Sequence, residues 1–268
     1  MAAGDLTATK GTMSERICSV FDGVDDNILV TSNDQLNMGT EDFCISFWIN
    51  NNQAISDDVV SKRSGSGPAD PGMILGVAGN GKFFVEIEDD SLNEVALLTA
   101  GDARTGTWNH IVYLFDRSGN VSTYVNNSLD GNTADISSVG TISNAVNLYI
   151  GRNGVAARIY EGGIRDVRIY KGTLLTAAQI DDVYNGKTSS ADEGFLVGRW
   201  KLEDDYTDSS TWGNDGTNTG SYLTNTGAKK VLADMNDLNL AATTDKLICV
   251  GIPGRDGLFR TWKAEREA

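Results

Sequence analysis

Short runs that alternate apolar and polar residues, each closed by glycine- or asparagine-rich turn chemistry, constrain this chain more than any other feature. In Phe43-Cys44-Ile45-Ser46-Phe47-Trp48-Ile49-Asn50, the residues Phe43, Ile45, Phe47 and Ile49 fall on one face and Cys44, Ser46, Trp48 and Asn50 on the other. That period of two belongs to a strand buried on one side, not to a helix of period 3.6. Similar runs occupy 82–88, 108–115, 121–125, 147–151 and 164–170. Between them lie Asp22-Gly23, Gly79-Asn80-Gly81, Ser118-Gly119-Asn120, Asp130-Gly131-Asn132 and Gly162-Gly163, residues that accept the backbone angles of tight turns. Many short strands with turns this frequent predict an all-β fold, a two-sheet antiparallel jelly-roll sandwich. One stretch departs from the pattern. Thr176-Ala177-Ala178-Gln179 is a capping box, Ile180, Val183 and Tyr184 follow on one stripe, and Gly186 supplies a stop, which predicts one short helix.

Charge narrows the function. With 22 Lys+Arg against 37 Asp+Glu the formal charge is -15, so the mean field repels nucleic acid and anionic bilayers alike. No apolar run approaches the roughly 18–20 residues of a membrane helix, so no membrane insertion is expected. The opening MAAGDLTATKGTMSER lacks a cationic stretch followed by an apolar core, which sets the expectation of a chain made and folded in a cytoplasm. Cys18, Cys44 and Cys249 each lie in an apolar run and read as buried free thiols, with a Cys18–Cys44 bridge as the alternative.

Three regions follow. Residues 1–16 read as a flexible N-terminal arm, and 17–227 as one domain. Residues 228–268 hold seven Lys+Arg against six Asp+Glu, a net of +1 that leaves -16 on residues 1–227. That contrast reads as a C-terminal docking tail with strand-like runs at 246–251 and 258–262; edge strands added to the same sandwich are the other reading.

The runs also occur in a recognisable order. Val20-Phe21-Asp22-Gly23-Val24-Asp25-Asp26 precedes Phe43–Ile49, then Trp108-Asn109-His110-Ile111-Val112, Leu148-Tyr149-Ile150-Gly151-Arg152, Gly163-Ile164-Arg165-Asp166-Val167-Arg168-Ile169-Tyr170 and the capped helix. Together these resemble the laminin-G-like branch of the concanavalin A-like lectin/glucanase superfamily over roughly residues 17–187. The resemblance implies two curved antiparallel sheets serving carbohydrate binding or adhesion. One element is displaced: residues 195–217, with Phe195–Leu202, Asp208-Ser209-Ser210 and Gly213–Thr217, look like a strand that many relatives carry before the Phe-Asp-Gly motif. A permuted chain fills the same slot from its other end, or fills it in a neighbouring subunit and makes a swapped homo-oligomer.

Candidate chemistry is sparse. His110 is the one histidine, inside a strand motif, and reads as structural, which leaves no Ser-His-Asp or histidine-metal site. Glu86 and Glu88 share a strand face, as a glycosidase pair would. The resemblance to glucanases breaks down there, because Glu88 stands at the central aspartate of their motif and Ser91 at its last acid; a solvated acidic face is the preferred reading and no catalytic residue is assigned. The resemblance implies one structural Ca2+ between the early loop, with Asp22 and Gly23, and the strand aspartate, Asp166. Pairing of Asp166 with Arg165 or Arg168 is the competing reading. Trp212, among small polar residues, is the first candidate for sugar stacking and Tyr160 the second, whereas Trp48, Trp108 and Trp200 read as core.

The expected function is therefore a non-catalytic binding module for glycan or protein. A lectin-like domain without a secretion signal is reconciled by a virion surface role, as a capsid decoration, head fibre or tail protein made in the host cytoplasm and docked on capsid or tail proteins. A secreted, extracellular microbial carbohydrate-binding adhesin and a polysaccharide hydrolase are the alternatives.

Overall fold

A computed structural model describes residues 17–51, 56–64, 70–101, 107–155 and 158–224, and the backbone of 247–250 and 261–264. The arm expected at 1–16 and most of the tail expected at 228–268 lie outside the described residues, as does the side chain of Cys249.

The strands are β1 (Ser19–Asp22), β2 (Asn27–Val30), β3 (Phe43–Asn50), β4 (Asp57–Lys62), β5 (Gly72–Val77), β6 (Phe83–Glu88) and β7 (Glu94–Leu98). After them come β8 (Trp108–Phe115), β9 (Asn120–Val125), β10 (Ser128–Asp135), β11 (Leu148–Ile150) and β12 (Glu161–Lys171). Helix α1 (Ala177–Tyr184) is followed by β13 (Leu196–Trp200), β14 (Gly216–Thr219), β15 (Tyr222–Leu223), β16 (Leu247–Val250) and β17 (Thr261–Ala264). One antiparallel sheet, the helix-side sheet, runs β10-β9-β8-β3-β12-β1-β15, with β13 also on β12. The other, the open sheet, runs β14-β2-β11-β4-β5-β6-β7. Among the described residues, strands β16 and β17 form a separate two-stranded sheet.

Alternation decides what lies between the sheets. Phe43, Ile45, Phe47 and Ile49 of β3 meet Val59, Val60, Met73, Leu75, Phe83, Val85 and Ile87 of the open sheet in one continuous core. Tyr113 is wholly buried in it and donates its hydroxyl to the Phe84 carbonyl at 2.9 Å, satisfying its polar end while tying one sheet to the other. The other face of β3 packs under α1: Cys44, Val112, Tyr170, Leu175, Ile180, Val183 and Leu196 form a second cluster. Thr176 and Gln179 close the capping box that starts this helix.

Residues 196–223 belong to both sheets. Strand β12 pairs with β1 over Glu161–Ile164 and with β13 over Val167–Tyr170, so β1 and β13 lie end to end along one flank of β12 within a single chain. Strand β14 extends the open sheet beyond β2, and β15 caps β1.

Cys18 and Cys44 are free and buried. Ser19 is level with Ile164 and Cys44 with Tyr170, which separates the two thiols by roughly 15 Å of strand and excludes the alternative bridge. Burial raises both thiols, Cys18 to about 11 and Cys44 to about 12, so neither is a ready nucleophile. Trp200 is core, and its indole N–H donates to the Asn214 carbonyl at 2.8 Å. Trp48 is buried on the helix side, 5.0 Å from the His110 ring and 5.4 Å from Tyr184. Trp108 departs from the expectation of a core residue: it is only half-buried, at the end of β8, under the Arg165 guanidinium at 5.9 Å.

Candidate functional site

The acidic pair on β6 is consumed by arginines. Phe84, Glu86 and Glu88 point outward from the open sheet because Phe83, Val85 and Ile87 point inward. Buried Arg63 pairs with Glu88, with Glu94 at 3.3 Å and with Glu86 at 3.8 Å, and Arg158 joins Asp58 at 3.3 Å to Glu86 at 3.6 Å. A glycosidase needs one carboxyl free to protonate the leaving oxygen and a second free to attack; here both glutamates serve an ion-pair lattice. Its most perturbed member is Asp58, fully buried and pushed up to about 7 by burial, with the Arg158 charge opposing and Glu86 reinforcing the rise. Neighbouring Asp57 rises to about 6, again by burial.

Asp166 is not placed to hold calcium with Asp22. Asp22 is level with Glu161, so roughly 15 Å of β12 separates the two aspartates. The register of β12 against β3 shifts between Arg165 and Arg168, and Asp166 occupies the bulge at φ 47°, a left-handed conformation that aspartate tolerates better than most residues. There its carboxylate accepts from Arg168 Nε at 3.1 Å and Nη2 at 2.8 Å, and from Arg199 Nε at 2.8 Å. Burial alone would raise its pKa, but the Arg168 and Arg199 bonds and charges outweigh that and hold it at about 2. Of the two readings of Asp166, the ion pair describes the geometry, with Arg168 as partner and Arg199 added; Arg165 pairs instead with Glu203 at 3.7 Å.

The early loop supplies other oxygens. Carboxylate oxygens of Asp22, Asp25 and Asp26 lie within 4.8 Å of one another. Gly23 turns the loop at φ 77°. Asp26 is buried and accepts from the Asp22 amide at 2.8 Å; burial first, and then repulsion from Asp22 and Asp25, raise its pKa. Three hard anionic oxygens on one turn fit a cation such as Ca2+.

Tyr160 is not a sugar platform. It is 0% exposed, meets Phe21 edge-on at 6.1 Å, and donates its hydroxyl to the Asn50 carbonyl at 2.8 Å. Its neighbours Ile159 and Glu161 are half-buried, whereas Tyr160 between them is wholly inside.

Trp212 is 50% exposed, on the loop joining β13 to β14. Asp208 builds that loop, accepting from the amides of Arg199, Ser210 and Asn214, each at 2.8 Å. Pairing of Gly216 with Val30 brings the loop against residues 31–33, and Asn33 Nδ2 donates to Asn214 Oδ1 at 2.5 Å. Asn33 also lines an open concavity of about 480 Å³ with Ser32, Asp34, Asn37, Ser143, Asn144 and Ala145. Sequence reasoning missed this concavity because its walls come from two loops, 32–37 and 143–145, that only the pairing of β11 with β2 brings together. The one signal was their shared wealth of asparagine and serine, Thr31-Ser32-Asn33-Asp34 and Ser143-Asn144.

The profile of a laminin G family, described as the concanavalin A-like lectin/glucanases superfamily, matches residues 22–181, more than half of the chain. The chain belongs to that superfamily. Among solved structures, this superfamily member is similar to the heptameric SAP-like pentraxin of Limulus polyphemus, at 13% identity and a TM-score of 0.54 over 77% of this chain and 94% of the pentraxin. It is similar to the binding domain of Paraclostridial Mosquitocidal Protein 1, at 16% identity and a TM-score of 0.50 over 63% of this chain and 43% of that one. The binding domain of botulinum neurotoxin serotype G gives 16% identity and a TM-score of 0.51 over 62% and 41%. The superfamily member spans less than half the length of these toxin domains. At such identities the likeness is one of fold, a lectin-like jelly roll. A comparison with curated proteins found no match.

Proposed function

We propose that this protein is a non-catalytic glycan-binding module, and that the concavity beside Trp212 is its binding site. The observation that carries the reading is an open polar concavity rich in asparagine and serine whose wall residue Asn33 is hydrogen-bonded to Asn214, two residues along the loop from the half-exposed Trp212. Sugars present apolar C–H faces edged by hydroxyls, and a site for them combines an aromatic surface with oriented polar groups. The ion-paired state of Glu86 and Glu88 favours binding over hydrolysis. Trp212→Ala is expected to weaken glycan binding at least tenfold in an array followed by titration calorimetry, while the melting temperature stays within about 1 °C because the side chain is at the surface. An empty array, or binding indifferent to Trp212, overturns the reading.

The setting we propose is a virion surface, where the domain decorates a capsid, head fibre or tail and the C-terminal segment docks it, with assembly into a homo-oligomer. A near-neutral segment on an acidic body supports this, as does the pairing of β16 with β17 as a separate two-stranded sheet among the described residues. Mass spectrometry of intact particles from a culture expressing the protein tests the setting; absence from particles favours a secreted adhesin.

We further propose one structural Ca2+ on Asp22, Asp25 and Asp26, in place of the expected set with Asp166. Calcium at 100 times its Kd is expected to add about 2.7 kcal/mol of stability, lost on chelation. A melt indifferent to calcium at matched ionic strength removes the ion.

A further inference from the structure

We propose that the groove walled by Ser32, Asn33 and Asn144 selects glycans carrying a carboxylate, such as uronic or sialic acids, because a buried ammonium that has no carboxylate partner among the described residues stands behind its wall. This rests on the groove being the glycan site. Lys62, at the end of β4, is only 4% exposed. Its Nζ donates to Ser32 Oγ at 3.0 Å, Asn144 O at 3.2 Å, Asn144 Oδ1 at 3.1 Å and Val146 O at 2.7 Å. All four acceptors are neutral, so the hydrogen bonds are satisfied while the charge is not. Two of the donors' partners, Ser32 and Asn144, are themselves groove walls.

An ammonium held this way differs from a surface lysine in two respects. Its neighbours screen it poorly, so its field extends into the groove with an effective dielectric well below that of water. Burial also lowers its pKa to about 8. A bound anion would supply the missing counter-charge. The Ser32 hydroxyl, accepting from Nζ, is left to turn its own proton toward the ligand, a charge-assisted arrangement. Among the groove's lining residues Asp34 is the one carboxylate, and it is exposed on the rim, where it can accept from sugar hydroxyls without neutralising Lys62.

The test is titration calorimetry at pH 7 and low salt with a uronic-acid tetrasaccharide and a sialylated trisaccharide, each against its methyl ester. At least one acid is expected to bind about tenfold or more tightly than its ester. In Lys62→Met, the affinity for that acid should fall toward the affinity the wild-type protein has for the ester. Equal affinities for acid and ester in the wild-type protein overturn the acidic preference and leave the groove as a neutral-glycan site. A preference that survives Lys62→Met, in a variant shown to be folded by circular dichroism, also overturns it. Binding of none of the four ligands overturns this proposal and the glycan reading together. Should Lys62→Met fail to fold, the wild-type comparison of acid with ester still decides the preference, and Ser32→Ala places it.

Discussion

Asp166→Asn is expected to destabilise the protein by about 3–5 kcal/mol, the range found when one partner of a buried ion pair is removed. The loss is large because Arg168 is fully buried and donates two hydrogen bonds to the Asp166 carboxylate, with Asp192 at 3.7 Å as its other acid. Arg199 loses its partner at the same time. Asparagine keeps the shape and the tolerance of the left-handed bulge at φ 47°, so the experiment isolates the charge. Urea unfolding of both proteins measures the difference, and Arg168→Met in the Asp166→Asn background should recover part of it. A difference below 1 kcal/mol would mean that Arg168 finds adequate compensation in Asp192 and Tyr170.

Stability should rise, by about 2–3 kcal/mol, as pH is lowered from 8 to 5.5. The folded-state pKa values of Asp58, about 7, and Asp57, about 6, both lie above the ordinary aspartate range, chiefly through burial. Between that range and these values the folded state holds protons that the unfolded chain has released, so stability falls as pH rises through the window. Asp89 and Asp166 act in the opposite sense below it. Burial opposes their ionisation, but hydrogen bonds to Asn93, Gly140 and Ser91, or to the two arginines, win and hold both at about 2. Their stabilisation is therefore lost as pH falls from about 4 toward 2, which sets an optimum near pH 4–6. Asp58→Asn should flatten the upper limb and make the protein more stable than wild type at pH 8, because Arg158 retains Glu86. Thermal melts across pH 3–8 check both limbs; a profile that rises from pH 5.5 to 8 contradicts the assignment.

Legibility differed between fold and site for a physical reason. Phe43–Asn50 announced its two faces because burial on one side imposes period two, and Thr176–Gln179 announced its helix because capping is local hydrogen bonding. Trp212 stood out because no apolar alternation surrounds it. Tyr160 misled because Glu161 beside it in sequence is polar, whereas Tyr160 itself, just before β12, is wholly buried with its hydroxyl on the Asn50 carbonyl. Asp166 could be read as either ligand or ion-pair partner until the bulge in β12 and the register of β13 brought Arg199 beside it.

The amino-acid pattern by itself determined the sandwich, the helix and the superfamily, since each depends on side-chain period or on neighbours a few residues apart. Only the tertiary structure decided that Glu86 and Glu88 are bound by Arg63 and Arg158, that Asp22 cannot reach Asp166, and that Lys62 stands behind a groove. Those are contacts between residues far apart in the chain, fixed by strand order and register; local periodicity determines which face a side chain occupies, while sheet topology determines what it meets there.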